Sequence, residues 1–137
     1  MATELLPYIF FYGRCEEALA FYQSIFGGSY EILRVKDSPM ASRMPPDSGE
    51  RVMHATFTGD DVKFLASDGG STKPVDTDAG NISIGLWIDD GERAARVFDA
   101  LAAGGTVGMP LEPAQWGARF GMVTDKFGTE WMVTTPQ

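Results

Sequence analysis

A chain of 137 residues, with 44% hydrophobic and 22% charged side chains, suits one soluble domain and is too short for two ordinary ones. Its formal net charge of −8 repels phosphate backbones and anionic lipid, which excludes nucleic acid and membrane surfaces as partners. Cys15 is the single cysteine and cannot close an intrachain disulfide, and no run approaches the roughly 18 apolar residues of a membrane span, so a reducing, cytoplasmic setting is expected.

The opening segment lacks a basic stretch and its apolar run is broken by Pro7, so it reads as a first strand and not as a signal peptide. Leu5 to Tyr12 is apolar and aromatic, bounded by Gly13, and predicts a buried strand. Glu16 to Phe26 places Ala18, Leu19, Phe21, Tyr22, Ile25 and Phe26 on one helical stripe, with acids in the first turn and Gly27-Gly28 as the stop. Tyr30 to Lys36 predicts a strand. The proline-rich stretch from Ser38 to Arg51 predicts a loop. Val52 to Thr58 and Val62 to Ser67 read as a hairpin around Gly59-Asp60-Asp61, and Asp68 to Asn81 as a second loop.

The pattern then restarts. Ile82 to Ile88 predicts a strand, and Asp89 or Asp90 can cap a helix from Gly91 to about Ala103 that turns Ala94, Val97, Phe98 and Leu101 inward. A short strand near Val107 precedes an expected loop, MPLEPAQ. Arg119 to Thr124 and Glu130 to Thr134 close the chain as a strand pair around Asp125 to Gly128. Phe21 precedes Gly27-Gly28 by the interval at which Phe98 precedes Gly104-Gly105. The reading is therefore α+β: one domain over residues 1–137 made of two tandem βαβββ repeats, about 5–68 and 82–135.

The run PYIFFYGRCEEALAFYQSIFGG, the strand VMHATF and the closing WGARFGMVTDKFGTEW resemble the PhnB-like branch of the vicinal oxygen chelate superfamily. That superfamily holds glyoxalase, bleomycin resistance and dioxygenase proteins, and the likeness spans about Leu6 to Val133. It implies the glyoxalase/bleomycin resistance fold, in which curved mixed sheets enclose a cavity, and it implies a homodimer. Enzymes of the superfamily usually carry one metal ligand, His, Glu or sometimes Gln, on each of four strands. Carried over, those positions fall on Pro7, Leu65, Ser83 and Met132, none of them a usual ligand.

The chemistry agrees without the likeness. A catalytic cation takes at least three converging protein ligands, and the chain has one histidine and one cysteine. The acidic clusters Asp60-Asp61, Asp76/Asp78 and Asp89-Asp90 read as turns and caps. No metal and no cofactor are expected. Gly27-Gly28 and Gly104-Gly105 follow helices, not strands, so they are not phosphate loops. Nor does the order of elements support the methyltransferase label given to some relatives.

Nine Phe, four Tyr and three Trp need a core, a lined cavity or an interface. His54 is either a general base, a hydrogen-bonding contact for a ligand, or a structural histidine. Trp116 and Arg119 offer an aromatic wall with a guanidinium for a small planar or anionic ligand, or else pack and pair locally. Strand alternation puts Lys63, Leu65, Trp87, Glu130 and Met132 on the cavity face, with Phe64, Trp131 and Val133 toward the helices. Cys15 reads as a packed thiol. The functional expectation is a metal-free protein binding a small aromatic or apolar molecule. The alternative is an isomerase, lyase or dioxygenase on a small oxygen-rich substrate, dependent on a metal or on His54.

Overall fold

The computed structural model describes residues 3–69, 82–114 and 117–137. Trp116, Asp76 and Asp78 lie outside the described residues. The chain divides into two compact units, 1–74 and 75–137, each carrying one four-stranded mixed sheet and one α-helix.

The first unit runs β1 (Tyr8–Phe10), α1 (Cys15–Phe26), β2 (Ser29–Arg34), β3 (Val52–Thr58) and β4 (Lys63–Ser67). The sheet order is β1-β4-β3-β2, with β1 parallel to β4 and the other pairs antiparallel. One sheet face buries Ala55, Phe57, Phe64 and Ala66, and α1 buries Ala18, Leu19, Tyr22 and Phe26. Phe57 and Phe64 stack at 4.8 Å, and Tyr22 meets Phe64 edge-on at 5.5 Å, so the aromatic surplus of this half goes largely into the helix–sheet layer. The second strand, expected to reach Lys36, ends at Arg34 and gives way to a 3-10 turn at Val35–Asp37, and the expected loop Ser38 to Arg51 contains two more at Ala41–Arg43 and Pro46–Ser48. Asp68, read as the start of a loop, anchors the unit. Its carboxylate accepts the Cys15 amide at 2.9 Å and the Val52 amide at 2.7 Å, tying the start of α1 to β3.

The second unit runs β5 (Ile84–Trp87), α2 (Gly91–Ala102), β6 (Thr106–Pro113), β7 (Ala118–Thr124) and β8 (Glu130–Pro136), ordered β5-β8-β7-β6. Asp90 caps α2 by accepting the Glu92 and Arg93 amides, and Ala94, Val97, Phe98 and Leu101 are buried as the spacing predicts. The expected loop MPLEPAQ is a correction: β6 continues through Pro113. As the edge strand it can carry Pro110 and Pro113, which have no amide to donate, and bulges between Val107 and Glu112 absorb the misfit.

The doubled glycines have distinct tasks. Gly27 and Gly104 take positive φ where the chain leaves each helix, and Gly28 and Gly105 lie against the backbone of the hairpin turn in their own unit. By helix position the structural equivalents are Ala18 with Ala94 and Tyr22 with Phe98. This is one residue away from the alignment through the glycines, because Ala103 separates α2 from its first glycine.

Candidate functional site

In each sheet one face is sealed by the helix, and side-chain alternation delivers every second residue to the other face. In the first unit the pairing aligns Glu31, Thr56, Leu65 and Tyr8 in one row across that face, with Leu33 and His54 in the next. Tyr8 and Phe10 are 42% and 49% exposed, with rings 5.4 Å apart. Tyr8 Oη lies 3.0 Å from His54 Nδ1, and their rings are 5.6 Å apart. Lys63 stands at the end of this face opposite Thr58, its ammonium 3.5 Å from the Glu4 carboxylate. Both partners are exposed, so the pair contributes little to stability.

In the second unit the corresponding row is Met109, Met122, Met132 and Gly85, one residue from each strand. Glu112, Phe120, Thr134 and Trp87 form the row on one side, and Thr124 and Glu130 pair on the other. Ser83 donates its hydroxyl to the Glu130 carboxylate. The Trp87 indole, in an exposed side chain, donates to Asp89 at 2.6 Å.

Within the first unit, then, His54, Lys63 and Leu65 share the helix-free face, and within the second Trp87, Glu130 and Met132 do. Phe64, Trp131 and Val133 are buried on the helix side. Arg119 does not join the expected group. It pairs with the fully buried Thr135, on the face carrying Gly121 and Val133, and its guanidinium donates to the Leu111 carbonyl at 3.2 Å. Trp116, its expected neighbour, is outside the described residues. On β1 the residue beside Leu65 is Tyr8 and not Pro7, whose carbonyl accepts the Leu65 amide. Sequence reasoning missed Tyr8, Phe10, Met109, Phe120 and Met122 as face residues.

Among the described residues, the positions carried over from the superfamily's metal ligands hold no usual donor. Leu65 and Met132 occupy the carried-over positions on β4 and β8, and Tyr8 and Gly85 lie beside them on β1 and β5. Among the described residues, no three His, Cys, Asp or Glu side chains gather where they could hold one ion. Cys15 is fully buried, and burial, followed by the charges of Asp68 and Glu16, pushes its thiol up from 9.0 to about 12. It is expected to resist iodoacetamide in the native protein at pH 8 and to alkylate once unfolded; rapid native labelling would contradict that burial. Because the unfolded thiol ionises first, its stability contribution is whole below about pH 9 and is lost as pH rises toward 12, a decline that Cys15→Ala should flatten.

Residues 3–134 match the family described as 3-demethylubiquinone-9 3-methyltransferase. Protein YjdN of Escherichia coli K12 is 31% identical, over 94% of this chain and 92% of its own length. The crystal structure of protein PA1353 from Pseudomonas aeruginosa is 39% identical with a TM-score of 0.84, covering 99% of both chains. A PhnB protein from Bacillus cereus is 28% identical with a TM-score of 0.70, over 97% of this chain and 99% of its own. In fold alone, a Sphaerobacter thermophilus member of the glyoxalase/bleomycin resistance protein/dioxygenase superfamily superposes with a TM-score of 0.60 at 19% identity, over 98% of both chains.

Proposed function

The chain belongs to the 3-demethylubiquinone-9 3-methyltransferase family, PhnB-like proteins with the glyoxalase/bleomycin resistance fold, and on that premise we propose that it binds a small, flat, apolar or aromatic molecule on its helix-free sheet faces without a metal ion. The observation that carries this reading is the row Met109–Met122–Met132–Gly85 beside Trp87 and Phe120. Thioethers are polarisable and adapt their rotamers to irregular ligands, and sulfur–ring contacts contribute about 0.3–1.5 kcal/mol each. Gly85 has nothing within 4 Å of the position a Cβ would take, leaving room for a ring against the backbone. The methyl transfer in the family's description is not carried over. Each sheet has one parallel and two antiparallel pairings, unlike the doubly wound parallel sheets that bind nucleotide cofactors. A homodimer working in the cytoplasm completes the proposal.

The neutral fluorophore N-phenyl-1-naphthylamine tests it. Its emission should rise saturably with the wild-type protein, and Met132→Asp, placing a charge in the middle of the row, should weaken binding at least about tenfold. The Met132 side chain is half-buried and off the helix side, so the variant is expected to stay folded. A wild-type protein that gives no saturable signal, or a folded variant that binds equally well, would refute the proposal.

A further inference from the structure

We propose that Tyr8 and His54 form a hydrogen-bonding dyad that fixes the imidazole as a donor through Nε2–H, so that the first unit selects aromatic ligands carrying an acceptor oxygen. The inference rests on the binding reading above and adds to it a polar selection element. Tyr8 is on β1 and His54 on β3, two strands separated by β4, yet their side chains meet across β4 with Oη 3.0 Å from Nδ1. A phenol is a better donor than acceptor, and a bare imidazole nitrogen accepts well. With Nδ1 accepting from Tyr8, the neutral ring carries its proton on Nε2. The dyad therefore offers a ligand a donor and not a base.

Its surroundings fit such a ligand. Phe10 and Leu33 expose apolar surface on the same face, and Phe10 lies against the Tyr8 ring. A donor set beside these apolar side chains discriminates, because a ligand that leaves it unpaired forfeits the hydrogen bond and still desolvates the group. The second unit carries no counterpart of the dyad at the aligned positions. Aligning Leu65 with Met132 through the strand pairing places Gly85 where the first unit has Tyr8, and Phe120 where it has His54.

His54 is the only histidine, so a long-range proton–nitrogen correlation spectrum contains a single imidazole. The neutral ring should show Nε2 protonated and Nδ1 bare, with that bias lost in Tyr8→Phe. Protonation at Nδ1 would overturn the proposal and leave His54 a candidate base. Binding gives the second arm, with 2-acetylnaphthalene, an acceptor, and its apolar isostere 2-isopropylnaphthalene. Both Tyr8→Phe and His54→Ala should weaken the ketone by roughly three- to tenfold and leave the hydrocarbon within about twofold. If both compounds bind the wild type but neither variant separates them, the dyad falls and the apolar binding reading survives. If neither compound binds the wild type, both fall.

Discussion

Asp125→Ala is expected to destabilise the protein by about 3–5 kcal/mol, measured by chemical denaturation. The carboxylate is buried and closes the turn between β7 and β8 from within. One oxygen accepts the Phe127 amide at 2.9 Å and the Thr129 amide at 3.1 Å, and the other accepts the Trp131 indole at 2.8 Å. Truncation takes the acceptor from three donors, two of them in buried hydrogen bonds, and losing a buried donor's partner costs about 1–3 kcal/mol with partial relaxation. Trp131 is fully buried and pairs with Ile84 and Val123 across the sheet, so a loosened indole is felt on both neighbouring strands. Asp125→Asn should lose less, since its amide oxygen can still serve the turn while its NH₂ group opposes the indole. A loss under about 1 kcal/mol in the alanine variant would show that the turn is held by something else.

The second large effect is expected at Gly28 and Gly105. A Cβ on Gly28 would stand 2.0 Å from the Thr58 carbonyl oxygen, at a φ of +84° that side chains rarely adopt. A Cβ on Gly105 would stand 2.2 Å from the Thr124 carbonyl oxygen, with no positive φ involved, so there the obstacle is space alone. In both cases the obstructing atom is backbone, which cannot swing aside, and alanine forces the helix exit away from the hairpin. Each substitution should remove more than about 3 kcal/mol or prevent accumulation of folded protein. Gly85→Ala is the control, because its added methyl meets nothing within 4 Å, and it should stay within about 0.5 kcal/mol of wild type. Tolerance of alanine at Gly105 would mean that the approach of helix exit to hairpin is looser than described.

These glycines also show what the sequence made legible. Each doublet marks a helix end and a close backbone approach, two demands that only glycine meets together, so the repeat could be read from them. The stripe of α2 was equally plain, since charged residues separate its apolar positions, and β3 was bounded by Arg51 before it and Gly59 after it. Legibility failed where both faces of a strand are apolar. Leu5 to Tyr12 carries no alternation, so nothing in it told that Tyr8 and Phe10 turn away from the helix while Phe11 is buried. In β7, apolar residues on both faces and the missing side chain of Gly121 hid the pleat, so the sequence did not tell which face Arg119 takes. The register that places it comes from Trp131 and Val133 seeking burial on the neighbouring strand. Pro110 and Pro113 read as loop because the edge position of β6 is a property of the sheet and not of the segment.

Metal dependence of ligand binding probes the whole account. N-phenyl-1-naphthylamine should titrate with the same dissociation constant before and after exhaustive EDTA dialysis, and again after zinc, nickel, manganese or iron(II) is supplied. Affinity lost with the chelator and restored by one of these ions would mean that ligands do converge on these faces, contrary to the placement of Leu65 and Met132.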